Sequence, residues 1–75
     1  MNQAILFNDD FHYSSEYKNW IFTGMMSGER VTIVICSTWN ESYVPTQVDK
    51  LDIEMIVEDW LEDNEPEDQL IEINY

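Results

Sequence analysis

Basic residues are almost missing from this chain. Lys18, Arg30 and Lys50 are its only three, set against sixteen acids. Three scattered cations are too few to neutralise a phosphate backbone, so direct binding of nucleic acid is not expected. The same deficit sets the chain against anionic membrane surfaces. Cysteine is scarce as well. Cys36 stands alone, which rules out an internal disulfide and any Cys/His zinc cluster. Its setting, Ile33-Val34-Ile35-Cys36, reads as a small buried hydrophobe in a reducing compartment. No base lies near it in sequence to lower its pKa and make it reactive. The two glycines, Gly24 and Gly28, form no Gly-rich phosphate loop. His12 is the single histidine, lodged between Phe11 and Tyr13 with no evident partner, so no general base is in view. The chain is accordingly read as a protein without enzymatic activity or cofactor. No apolar run approaches the length of a membrane span. The opening residues hold no basic stretch followed by an apolar one, which points to a cytoplasmic protein.

What is present is negative charge on a sequence still rich in apolar side chains. The formal net charge is −13, yet hydrophobic residues make up 44%, including three Trp, four Tyr and three Phe. High charge with few apolar residues would mean disorder; here the apolar content suffices for a core. The 75 residues, 1–75, form one domain with a highly charged skin. Such a field attracts cationic surfaces and strains its own fold by self-repulsion.

The periodicity predicts α+β. Ala4-Ile5-Leu6-Phe7, ended by Asn8-Asp9-Asp10, reads as a first strand, and 11–16 as a loop carrying aromatics. Residues 17–37 form a β-hairpin around Met26-Ser27-Gly28-Glu29, with Val31, Ile33 and Ile35 alternating toward one face. Residues 38–45 are irregular. Thr46 or Asp49 caps a helix that runs to about Asp63, its apolar stripe made by Ile53, Ile56, Val57, Trp60 and Leu61. Asn64-Glu65-Pro66 stops it, and 69–75 alternates as a final strand. The order is β-β-β-α-β, a small antiparallel sheet with one amphipathic helix packed on a face.

Eleven of the sixteen acids fall between Asp49 and Glu72. At about 100° per residue, Asp52, Glu54, Glu58, Asp59, Glu62 and Asp63 occupy the helix arc opposite the apolar stripe. An acidic helix is most often a solvated face. Two features set this one apart. Solvated helices normally interleave Lys or Arg at i+4, whereas no base follows Lys50 here. Leu51 and Met55 also sit inside the acidic arc, either as a small anchor ringed by charge or in contact with the loop at 38–45. Trp39 and Tyr43 in that loop either pack over a core edge or supply an aromatic anchor. The acid-rich stretch Asp63–Asp68 lacks the glycine of a calcium loop and is stiffened by Pro66, so no specific metal site is expected.

The opening Met1-Asn2-Gln3-Ala4-Ile5, then Phe7 and Asp9, followed by strand, Gly-turn, strand and helix, resembles a family of small uncharacterised bacterial proteins. The resemblance covers residues 1–37 and implies an α+β fold, with no activity attached. In size, charge and acid-lined helix the chain is similar to the nucleic-acid mimics of phages and mobile elements, including anti-restriction and anti-CRISPR inhibitors. That similarity implies a partner: a basic nucleic-acid-binding protein, such as a restriction or CRISPR complex, whose groove the acidic face would occupy. Candidate contacts are Asp52, Glu54, Glu58, Asp59, Glu62 and Asp63, with Leu51, Met55 and Trp39 as apolar hold. The other reading is a small interaction module or homodimer whose acidity serves solubility.

Self-repulsion of this size makes the fold salt-sensitive. Raising ionic strength from about 0.01 to 0.15 M shortens the Debye length from about 30 to about 8 Å. The melting temperature should rise over that range in a calorimetric scan, and a salt-independent melt would mean the acids are already compensated.

Overall fold

A computed structural model describes residues 4–75. The elements are β1 (Leu6–Phe7), β2 (His12–Ser14), β3 (Asn19–Met26), β4 (Glu29–Cys36), α1 (Gln47–Asp63) and β5 (Leu70–Asn74). They make an α+β fold, a five-stranded and mostly antiparallel sheet carrying one helix.

The β3–β4 hairpin is its centre. Met26 pairs with Glu29, and the two residues between them, Ser27 and Gly28, have φ of 51° and 80°. A two-residue hairpin loop of this kind requires positive φ at both positions, which glycine supplies without steric cost. Gly24 has a different reason. A Cβ there would stand 2.9 Å from Ile5 Cδ1 and 3.2 Å from the Leu6 carbonyl oxygen, so the missing side chain lets β1 lie close.

β1 and β2 pair with the same edge of β3, one after the other. Between them the chain bulges away, and its own polar groups close the gap. Asn8 N donates to the Thr23 carbonyl at 2.9 Å. The Asp10 carboxylate accepts from Thr23 N at 2.9 Å and Thr23 Oγ1 at 2.6 Å. The stretch 11–16, expected as a loop, therefore contributes a three-residue strand. It has no alternation of its own, and its strand character comes from pairing His12, Tyr13 and Ser14 with Ile21, Trp20 and Asn19. Of the N-terminal motif, Met1–Gln3 lie outside the described residues.

One pair is parallel. β5 runs alongside β4 in the same direction, with Ile33 opposite Ile71 and Ile35 opposite Ile73. A parallel partner needs a crossover of a dozen or more residues, and residues 37–69, with α1 among them, supply it. The alternation then aligns the rows Trp20–Ile35–Ile73 and Phe22–Ile33–Ile71 on one face. Ile53, Val57 and Leu61 from α1 close over that face in one hydrophobic cluster. Ile56 and Trp60 pack at its margin. On the opposite face Ile21 and Val34 pair across the hairpin and are buried by their neighbours.

Ile53 is wholly buried at this junction. Ile53→Val should cost about 1 kcal/mol and Ile53→Ala about 2–5 kcal/mol in urea unfolding. The larger loss is comparable to the whole stability of a domain this small, so the alanine variant should melt far lower.

Candidate partner-binding face

Helix α1 begins in a capping box. Thr46 Oγ1 accepts from Asp49 N at 3.1 Å, and Asp49 Oδ2 accepts from Thr46 N at 3.0 Å. The same carboxylate gathers two phenols. Tyr43 donates to Asp49 Oδ2 at 2.5 Å, and the Tyr75 hydroxyl lies 3.4 Å from Asp49 Oδ1 and 3.2 Å from Asp52 Oδ2. The Tyr43 hydroxyl first, then the Thr46 backbone amide, holds the Asp49 carboxyl below its ordinary range. The Tyr75 phenol is pushed up to about 12, by burial first and then by the hydrogen bond to Asp52. Trp39 stacks on Tyr43 with ring centroids 4.5 Å apart and meets Tyr75 edge-on at 5.2 Å. Trp39 is half-buried against the core edge, in an aromatic cluster at the start of the helix.

The outer side of α1 is set by its inner side. Ile53, Val57 and Leu61 face the sheet. At about 100° per residue, Val48, Leu51 and Met55 then fall about 150° away. They are exposed by 67%, 50% and 62%. Leu51 and Met55 thus keep half or more of their surface in solvent. Glu58, Asp59 and Glu62 continue the same side toward the C-terminus and are exposed. Asp52 and Asp63 flank it on one edge, both exposed, while Glu54 on the other edge is half-buried. Burial first, then the Glu58 and Asp9 carboxylates, raises the Glu54 pKa.

Among the described residues no base moderates this side. Lys50, the single base of α1, reaches the β1–β2 bulge instead, with Nζ 3.6 Å from Asp9 Oδ1 and 5.2 Å from the Phe11 ring centre. Among the described residues that contact is the only ion pair. The last turn of α1 carries Glu62 and Asp63 and no base, although the helix dipole favours cations there. Asn64 closes the end by donating from Nδ2 to the Trp60 carbonyl at 2.8 Å.

Among the described residues no group of three or more His, Cys, Asp or Glu converges as a metal site. Cys36 is half-buried, and burial followed by the Glu72 charge pushes its thiol pKa up, away from reactivity. A depression of about 380 Å³ between the helix end and β5 is lined by Trp60, Glu65, Glu67 and Glu72 among others. No helix among the described residues is long and apolar enough to cross a membrane.

Sequence reasoning had placed Leu51 and Met55 on this side but passed over Val48, which lies three and seven residues before them. The same periodicity would have found it. The Tyr43–Asp49–Tyr75 cluster had no local signal, since Tyr75 is 26 residues from Asp49. No protein-family model, curated protein or solved structure matches the chain.

Asp49 and Glu54 act on stability with opposite sign. Glu54 has a raised folded pKa, so its proton is bound more tightly in the folded state, and acidification from neutral pH stabilises the fold as that carboxyl is protonated. Asp49 has a lowered folded pKa, so its contribution is present above the ordinary carboxylate range and is lost as pH falls through its own value. Melting temperature should therefore rise on mild acidification and fall at lower pH. Glu54→Gln should remove much of the rise, and Asp49→Asn should lower the neutral-pH plateau. A monotonic fall from neutral pH in the wild type would contradict the Glu54 assignment, and a neutral-pH plateau unchanged by Asp49→Asn would contradict that of Asp49.

Proposed function

We propose that this chain is a non-catalytic acidic binding protein, an inhibitor or regulator whose helix face enters the basic groove of a nucleic-acid-binding protein. The target would be a restriction, CRISPR or other DNA- or RNA-binding complex met in the cytoplasm, and the mechanism competition for the groove. The observation that carries the reading is the outer side of α1, where acids succeed one another without a base. Asp52, Glu54, Glu58, Asp59, Glu62 and Asp63 occupy twelve helical residues, giving one carboxylate per roughly 3 Å of axis. Duplex DNA carries one charge per roughly 1.7 Å. The spacings differ by less than a factor of two, so a groove lined for phosphates meets a comparable charge density.

Carboxylates also suit the donors found in such grooves. Arginine binds them through two parallel hydrogen bonds, which adds geometric selection to attraction. Acids in the final helical turn oppose the dipole, and acids at i and i+4 (Glu54, Glu58, Glu62) repel one another. A sequence shaped for stability alone would place Lys or Arg at some of these positions.

The test begins with capture of partners from cell lysate at low salt and measures the affinity of the purified partner. Glu58→Lys with Glu62→Lys should weaken binding by about a hundredfold or more, since each reversal turns an attraction into a repulsion. The partner's own nucleic acid should compete with the wild-type chain. Undiminished affinity of the double variant, or simultaneous binding of chain and nucleic acid, would contradict the reading.

A further inference from the structure

A surface helix normally hides its single apolar arc against the core. Helix α1 has two. Ile53, Val57 and Leu61 are buried against the sheet, while Val48, Leu51 and Met55 form a second arc on the solvent side. Val44, just before the helix, is 77% exposed, so four of the molecule's large exposed hydrophobics fall within residues 44–55. The second arc is segregated along the axis as well. Val48 to Met55 spans about 10 Å, and Glu58, Asp59 and Glu62 occupy roughly the next 10 Å of the same side.

We infer that this side receives a bipartite basic segment of the partner protein: an amphipathic helix whose aliphatic or aromatic residues cover Val48, Leu51 and Met55 while its Arg or Lys residues, two turns along, meet Glu58, Asp59 and Glu62. The inference rests on the acidic-face reading above and narrows it from a basic groove to a basic segment with an apolar half. Charge complementarity selects this occupant. A second copy of the chain would bring −13 against −13 and set these same acids against their equivalents. An anionic lipid surface meets the same repulsion. A neutral apolar partner would strip water from Glu58, Asp59 and Glu62 and return no hydrogen bond. A purely phosphate-binding groove would leave the aliphatic arc unused. The surface is convex, so a helix lying alongside at about 8–10 Å is the geometry that reaches both halves at once.

Two synthetic helical peptides of identical composition test this. In one, leucines occupy the first two turns of a face and arginines the next two; in the other the same residues are interleaved. Titration calorimetry with the wild-type chain should show the bipartite peptide binding about tenfold tighter. Leu51→Ser with Met55→Ser should abolish the difference. Both residues are exposed, so the variant should keep its fold, as circular dichroism would check. Equal affinity of the two peptides, no binding of either, or indifference to the serine substitutions overturns the inference. If the interleaved peptide binds equally well and Glu58→Lys with Glu62→Lys weakens both, the acidic-face reading survives without it. If that charge reversal changes neither affinity, the acidic-face reading itself fails.

Discussion

Burial of Ile53, Val57 and Leu61 against Phe22, Ile33, Ile35, Ile71 and Ile73 fixes the rotation of α1, and the rest of the molecule's surface follows from that rotation. Each of the three helix side chains contributes roughly 1.5–3 kcal/mol by leaving water. Turning the helix by one residue, about 100°, would carry carboxylates toward the sheet, where unpaired charge costs far more than the aliphatic burial returns. The net charge of −13 therefore does not blur the structure. It enforces a single orientation, because only one arc of α1 can face the core.

Two smaller constraints hold that orientation in register. At the helix start, Asp49 is shared by the Thr46 cap, Tyr43 and Tyr75, which ties the crossover loop and the end of β5 to the first turn. At the other edge, Lys50 turns to Asp9 and Phe11, tying the second turn to the β1–β2 bulge. Both contacts draw on groups beside the core arc and take nothing from Glu58, Asp59 or Glu62. The stabilising use of charge and the bare acidic side thus occupy separate parts of one helix.

Much of the fold was legible because its main elements carry local periodicity. Alternation from Val31 to Ile35 fixed the inner face of β4, Ser27-Gly28 fixed the turn, and Thr46 with Asp49 fixed the helix start. What escaped depended on contacts distant in sequence. β2 exists through its pairing with β3, and the parallel sense of β5 follows from the route the crossover takes. Residues 69–75 alternate identically whichever way they pair. On the candidate face, the acidic arc was readable from the helical wheel, because rotation follows from the apolar stripe. Whether Leu51 and Met55 met the loop at 38–45 was not readable, because that depends on where Trp39 and Tyr43 fold. Those rings stack on each other, Trp39 meets Tyr75 edge-on, and Leu51 and Met55 keep half or more of their surface in solvent.

Carboxyl footprinting of the complex with a captured partner would be the most direct measurement. Carbodiimide labelling read by mass spectrometry reports the accessibility of each acid separately, in the free chain and in the complex. Docking through the outer side of α1 requires Asp52, Glu58, Asp59 and Glu62 to lose reactivity on binding while Glu16 and Glu41, outside the helix, keep theirs. Protection confined to those distant acids, with the helix carboxylates as reactive as in the free chain, would mean that the partner docks elsewhere.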